Sequence, residues 1–144
     1  MYSVFFSLVL YNQTFQKIKD LLENIADFER LAIENNIEVK LLILDNSKYK
    51  LNFNFNEFGF IKYIFNNKNI GFGRGHNKNL FSINFRPNDV YLIINPDITF
   101  NPYDLFRYVE KFSISDYVCI SPLIKNPRGK VQYSVKKNPT VLSL

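Results

Sequence analysis

Residues 39–47 read VKLLILDNS, an almost wholly apolar run that ends in three polar side chains. Apolar runs of this length are typical of β-strands buried on both faces, as in parallel sheets that helices cover. We therefore predict a strand at Val39–Leu44, and Asp45-Asn46-Ser47 should follow at the point where the chain leaves the sheet.

Other apolar runs of similar length predict the remaining strands. Their predicted positions are Ser3–Leu10, Phe58–Phe65, Val90–Ile94 and Tyr117–Ser121. A further hairpin strand is predicted at Lys130–Ser134, within a stretch that is otherwise rich in proline and loop-forming residues.

Helical patterns lie between these runs. After the first strand, apolar residues recur at spacings of three and four, which predicts one buried helix face. Its members are Ile18, Leu21, Leu22, Ile25, Phe28 and Ala32. Thr14 is predicted to cap this helix through its hydroxyl group. A short helix is predicted near Asn77–Asn84, and another should open at Asn101-Pro102, because asparagine favours the cap and proline the first helical position.

The alternation of strands and helices predicts an α/β fold in a single domain spanning residues 1–144. Nearly all-apolar strands imply a mostly parallel sheet with helices on both faces, a Rossmann-like three-layer sandwich. Right-handed crossovers place the carboxyl ends of the strands along one edge, where ligands bind. Polar residues, mostly acids and amides, follow the predicted strands at that edge. They are Asn12, Asp45-Asn46-Ser47, Asn66, Asn67 and Asn95-Pro96-Asp97.

Two carboxylates at this edge are candidates for function. Asp45 can accept hydrogen bonds from a ribose or a base edge, or it can cap an ordinary turn. Asp97 follows Pro96, which fixes φ and holds the carboxylate in a turn. Such a carboxylate suits a hard divalent cation, with Asn95 as a neutral oxygen ligand, although Asn-Pro-Asp is also common turn chemistry.

The segment IGFGRGHNKN, residues 70–79, holds three of the five glycines. A dinucleotide-binding loop is one alternative, but the spacing is G-x-G-x-G rather than G-x-G-x-x-G, and the segment follows the third strand. Arg74, His76 and Lys78 could form a basic rim for single-stranded nucleic acid. The aromatic residues nearby follow core periodicity instead, so we predict no nucleic-acid partner.

Composition narrows the class of protein. The net charge of +5 favours anionic partners or a basic solvated surface. One histidine and one cysteine leave no zinc constellation, and Cys119 lies in an apolar run where a buried, inert thiol is expected. The apolar N-terminus lacks the marks of a signal peptide and is shorter than a membrane span. These features predict a cytoplasmic location, compatible with the inner face of the membrane.

Taken in order, the motifs resemble family 2 glycosyltransferases of the GT-A fold, and within them the rhamnosyltransferase-like branch that builds bacterial surface polysaccharides. The resemblance rests on four segments and on a tail segment. They are SLVLYN (7–12), LLILDNSK (41–48), NIGFGRGHNKNL (69–80), YLIINPDITF (91–100) and GKVQYSVKKNPT (129–140).

The resemblance implies transfer of a sugar from a nucleotide-sugar donor to a glycan or lipid-linked acceptor, with inversion at the sugar. The donor that it favours is dTDP-rhamnose. The product would belong to O-antigen or capsule biosynthesis. It implies Mg²⁺ or Mn²⁺ at Asp97, and it implies peripheral association with the membrane. The residues implied to bind the nucleotide-sugar are Tyr11, Asn12, Asp45, Asn46, Gly71, Gly75, Asn77 and Asn95.

One departure from the family pattern concerns the general base that an inverting transferase needs. The acids after Asp97 are Asp104, Glu110 and Asp116, and none lies where the family keeps its base. The chain is therefore expected to be the N-terminal portion of such an enzyme, truncated before the acceptor-binding part and exposing sheet edge and apolar surface. The alternative is a non-catalytic remnant that only binds the nucleotide-sugar.

Overall fold

Four parallel strands form the central sheet of the computed structural model, which describes residues 2–113, 115 and 119–132. The strands are β1 (Ser3–Leu10), β2 (Glu38–Asp45), β3 (Ile61–Phe65) and β4 (Val90–Ile94). Their spatial order is β3-β2-β1-β4, and each neighbouring pair is parallel. The predicted α/β class and the parallel sheet are confirmed, and the topology is compatible with a Rossmann-like fold.

Three helices cover the sheet: α1 (Phe15–Glu34), α2 (Phe72–Leu80) and α3 (Pro102–Ser113). Helices α1 and α3 pack together on one face, against β2 and β4, while α2 contacts β1 and β2. Successive side chains of a strand point to opposite faces. Phe6 of β1 meets Phe28 of α1 at a ring-centroid distance of 5.1 Å, and the adjacent Ser7 meets His76 of α2. The two helix layers therefore lie on opposite faces of the sheet.

This two-sided cover explains the continuous apolar pattern of β1, in which Val4, Phe6, Leu8 and Leu10 join the core below α1. All six residues predicted for the inner face of α1 are buried. Thr14 occupies the N-cap position of that helix, but its side chain makes no capping hydrogen bond, so this part of the prediction is wrong.

Helix α3 begins as its sequence predicts. Asn101 Oδ1 accepts hydrogen bonds from the backbone N–H groups of Tyr103 and Asp104, at 2.9 and 3.2 Å, and Pro102 is the first helical residue. These bonds satisfy donors that have no partner within the helix, which is the purpose of an asparagine cap.

Two element boundaries differ from prediction. Strand β3 begins at Ile61 rather than Phe58, because a 3₁₀ helix at Phe55–Glu57 and a turn occupy the preceding residues. Helix α2 spans Phe72–Leu80 rather than 77–84. Glycine has a low intrinsic helix propensity, which disfavours a helix start at residue 72. Packing of α2 against the sheet outweighs that local preference.

The last part of the described chain differs most from expectation. Residues 119–121 of the predicted fifth strand form no strand, and residues 117 and 118 lie outside the described residues. Cys119 is exposed rather than buried. A short antiparallel hairpin does form, between β5 (Ile124–Lys125) and β6 (Val131–Gln132). It confirms part of the strand predicted at 130–134, and the remainder lies outside the described residues.

Strand β4 lies at one edge of the four-stranded sheet, and Ile93 on this strand is 58% exposed. An exposed apolar side chain on an edge strand leaves that edge open to pairing with another chain. No helix in the described part of the chain has the length and apolarity needed to cross a membrane.

Candidate functional site

The order of the strands creates a topological switch point at one edge of the sheet, between β1 and β4. From β1 the chain moves to β2 and β3 on one side, and then β4 returns to the other side of β1. Ligands of open parallel sheets bind outside the carboxyl ends of the strands at such a switch point. The register pairs Leu10 with Asp45, Asp45 with Phe65, and Leu8 with Ile94, so the polar strand ends emerge side by side.

Asp45 ends β2 and is 1% exposed. Its Oδ1 accepts a hydrogen bond from Ser47 N at 2.9 Å, and its Oδ2 accepts bonds from the Tyr63 hydroxyl at 2.6 Å and Leu51 N at 3.3 Å. Burial, and then the bond to this carboxylate, raise the pKa of Tyr63 well above its ordinary value. In this structure Asp45 anchors the β2–β3 connection, and its contact with a nucleoside stays a prediction.

Asn46 joins three strand ends to the start of α2. Its backbone N–H donates to Leu10 O at 2.8 Å, and its side-chain oxygen accepts from Asn66 Nδ2 at 3.1 Å. Its side-chain nitrogen donates to Gly71 O at 3.4 Å. Because these bonds reach the end of β1 and the connection between β3 and α2, Asn46 holds the strand ends together at this edge.

Tyr11 and Asn12 directly follow β1 at this edge of the sheet. Asn12 has a φ of +53°, a left-handed conformation that asparagine tolerates, and its N–H donates to Ser47 Oγ at 2.7 Å. This bond ties the end of β1 to the turn after β2. The side chain of Asn12 is exposed, and Tyr11 is 52% exposed, so both side chains are accessible from solvent.

Two glycines of the 70–79 segment, Gly71 and Gly75, are required at their positions for different structural reasons. Gly71 precedes α2 with a φ of +84°, a conformation that favours glycine, and no atom stands within 4 Å of where a Cβ would lie. Gly75 is buried, and a Cβ there would lie 2.7 Å from Val9 Cγ2. Gly71 therefore leaves open space at the start of α2, whereas Gly75 allows α2 to approach the sheet.

Asn77 is set apart from the other predicted donor-binding residues. It is exposed on the side of α2 that faces away from the sheet, between Arg74 and Lys78. Its predicted contact with a donor stays a prediction, since the structure brings it into no cluster with Asn12, Asn46 or Gly71.

Asn95, Pro96 and Asp97 leave β4 in a turn at residues 96 and 97, as predicted. Within the described part of the chain, the exposed side chains of Asn95 and Asp97 make no hydrogen bond or ion pair. No group of three or more histidine, cysteine or acidic side chains that could hold a metal occurs among the described residues. One free carboxylate beside an amide fits a cation such as Mg²⁺ or Mn²⁺ that also takes ligands from a substrate diphosphate.

A buried polar cluster links α2 to the sheet, and sequence reasoning missed it. His76, 3% exposed, places Nδ1 2.7 Å from Ser7 Oγ, and Asn79 Nδ2 donates to the same oxygen at 2.9 Å and to Leu42 O at 3.0 Å. Tyr91 donates to His76 O at 2.7 Å, and burial lowers the pKa of His76.

The expected basic rim is therefore wrong for His76, which points into the protein. Because Ser7 is fully buried, this pair cannot present a nucleophile to solvent, and its role is to orient α2 on the sheet. Two features of the sequence could have indicated this cluster. His76 and Asn79 are three residues apart, and Ser7 is a polar residue inside the apolar run of β1.

Comparison of the chain with protein-family models, with curated proteins and with solved structures finds no match. The fold itself defines an α/β domain whose parallel strands bring polar carboxyl ends together at a switch point.

Proposed function

We propose that this chain is the nucleotide-sugar-binding part of a GT-A glycosyltransferase of family 2. The observation that carries the proposal is the meeting of strand ends at the switch point. There the anchored Asn46 and the open Gly71 stand on one side of β1, and the free Asp97 turn follows β4 on the other. This arrangement suits a ligand with a nucleoside at one end and a charged diphosphate at the other.

Different residues are proposed to bind the nucleoside, the diphosphate and the metal ion. Asn12 and Tyr11 offer exposed polar and aromatic groups next to the turn that Asp45 anchors, where a nucleoside could be held. Gly71 lets the ligand approach the backbone closely. Asp97 and Asn95 would hold Mg²⁺ or Mn²⁺, which offsets negative charge on the diphosphate and on the leaving nucleotide. With one carboxylate, affinity for the metal should depend on the presence of nucleotide.

A dinucleotide-binding domain is the weaker alternative. That fingerprint places glycines in the turn after the first strand, where the pyrophosphate meets the helix N-terminus. Here the turn after β1 begins with Tyr11-Asn12 and contains no glycine before α1. The glycines instead follow β3, the third strand along the chain.

The donor favoured by the resemblance is dTDP-rhamnose, and the acceptor a glycan or lipid-linked saccharide in surface-polysaccharide synthesis at the cytoplasmic face of the membrane. Asp104 and Glu110, two of the acids after Asp97, are exposed on α3, and no general base is assigned to either. We propose that the chain binds the donor in this sugar transfer. The alternative function is binding of the nucleotide-sugar without catalysis.

Calorimetric titration of the chain with dTDP and with UDP tests donor binding. We expect Mn²⁺ to strengthen binding by about tenfold or more, roughly 1.4 kcal/mol. The Asp97→Ala variant should lose this gain, while Asp20→Ala, which removes an exposed acid from α1, should keep it. Nucleotide binding that needs no metal and is unchanged in Asp97→Ala would overturn the site assignment.

A further inference from the structure

A long segment of the chain carries positive charge without any acid. Residues 58–88, which include β3 and α2, contain no aspartate or glutamate. Their cations are Lys62, Lys68, Arg74, Lys78 and Arg86. A block of one sign is a feature of surfaces that meet an oppositely charged partner.

Helix α2 presents part of this charge on one face. Arg74, Asn77, Lys78 and Phe81 follow at spacings of three, one and three residues and line a shallow depression of about 510 Å³ with Ser82. We call these four residues, the last of which is the C-cap Phe81, the outward face of α2, because the buried residues of the helix (Gly75, His76 and Asn79) pack on the sheet. Phe81 is 82% exposed, the most exposed large apolar side chain among the described residues.

The charges around Phe81 have no acidic partners among the described residues. Lys78 Nζ donates to the amide oxygen of Asn66 at 2.5 Å, and Lys62 Nζ donates to Ser82 O at 3.1 Å, both neutral acceptors. Arg74 makes no ion pair with a described residue. Arg74 and Lys78 therefore line the depression together with the solvent-exposed ring of Phe81, and Lys62 contacts Ser82, the next residue along the chain.

We propose that the outward face of α2 docks on an anionic lipid membrane. Interfacial helices combine basic side chains with an aromatic anchor, and the cations meet lipid phosphates and acidic headgroups while the ring enters the interface. Here Phe81 is the anchor, and Arg74, Lys78 and Lys62 supply the charge. The proposal does not depend on donor binding, because none of these side chains is among the residues proposed above to bind the donor.

A lipid surface fits this face better than a nucleic acid does. Single-stranded nucleic acids bind in grooves where successive bases stack on several free aromatic rings. The neighbouring phenylalanines are partly covered: Phe72, 53% exposed, packs against His76 at 4.3 Å between centroids, and Phe85, 41% exposed, packs against Phe5 and Tyr91, each at 6.2 Å. The outward face of a helix with one free ring suits the plane of a bilayer.

The chain contains no tryptophan, so a single introduced one reports on its own surroundings. Phe81→Trp should shift its fluorescence to shorter wavelength when phosphatidylserine–phosphatidylcholine vesicles are added, and not with pure phosphatidylcholine vesicles. The control is Tyr103→Trp on α3, a position 66% exposed on the opposite side of the sheet, which should not shift. A shift in the control as large as that at Phe81→Trp, or no shift at Phe81→Trp, would overturn the proposal.

Vesicle co-sedimentation tests the contribution of the cations. Each Lys or Arg near an anionic membrane contributes about fivefold to binding, so R74Q/K78Q should bind about 25-fold more weakly than the unaltered chain. The matched control K17Q/K111Q has the same net charge but loses its cations from α1 and α3. It should bind nearly as well as the unaltered chain, and added salt should weaken binding in both.

Thermal unfolding of each variant verifies that it is folded before binding is compared. Equal losses in the two double variants would mean that only net charge matters and would overturn the proposal. Tight binding of a single-stranded oligonucleotide that R74Q/K78Q abolishes, with weak vesicle binding, would assign this face to nucleic acid instead.

Discussion

At the scale of single residues, Asp45 and Asp97 stand at similar positions at the ends of apolar strands, yet they differ in burial and in hydrogen bonding. Asp45 is 1% exposed and accepts three hydrogen bonds, whereas Asp97 is exposed and bonds to no described residue. Removal of the first leaves buried donors without partners, and removal of the second leaves none among the described residues.

We predict that Asp45→Ala lowers the free energy of unfolding by about 3 kcal/mol or more, because hydrogen bonds to charged groups contribute about 1.5–3 kcal/mol each. Asp97→Ala should change it by less than about 0.5 kcal/mol, as is usual for surface positions. Urea denaturation of both variants measures the difference. If Asp45→Ala were as stable as the unaltered chain but lost nucleotide binding, its carboxylate would belong to the ligand site instead.

At the scale of elements, α2 contains two glycines, Gly73 and Gly75, for which helix propensity alone predicts the same cost. Gly73 is exposed, and no atom stands within 4 Å of where a Cβ would lie, whereas Gly75 faces the Val9 and Leu44 side chains. The helix exists because its sheet-facing side fits closely, and this fit compensates for the poor propensity of glycine.

The two glycines allow a matched pair of substitutions in one helix. Gly73→Ala should stabilise the protein by about 0.4–1 kcal/mol, since alanine restricts the unfolded chain and favours the helix. Gly75→Ala should destabilise it by about 1–3 kcal/mol, because the added methyl group would stand 2.7 Å from Val9 Cγ2. Thermal unfolding measures both changes, and stabilisation by both substitutions would contradict the packing role of Gly75.

At the scale of the whole molecule, unfolding should depend on pH through His76, the sole histidine. Burial lowers its pKa in the folded state below the ordinary value of about 6.5 that it regains on unfolding. Between these two pKa values the unfolded chain binds a proton that the folded chain does not. The free energy of unfolding therefore falls as pH is lowered through this window.

Chemical denaturation at a series of pH values between about 5 and 7 measures this slope, above the range where ordinary carboxylates titrate. The His76→Gln variant is the control, since it removes the titrating group from the same buried site. We expect it to be less stable overall but flat across the window. An equal slope in this variant would show that His76 is not the group responsible.

Much of the framework follows from local patterns. Four apolar runs became the four strands of the parallel sheet, all six predicted residues of α1 are buried, and Asn101-Pro102 opens α3 as expected. The gathering of polar strand ends at one edge also follows from sequence, because parallel strands with helical crossovers end on the same side. The start of α2 did not, since its glycines contradict the helix that packing imposes.

The sequence by itself determined the alternation of elements, the face that each buries, and which polar residues close each strand, because these depend on neighbours a few positions apart. The tertiary structure alone decided that Asp45 is buried while Asp97 stays free, that Gly75 meets Val9, and that His76 pairs with Ser7. Those contacts join residues far apart in the chain, and they depend on strand order and register, which no local period encodes.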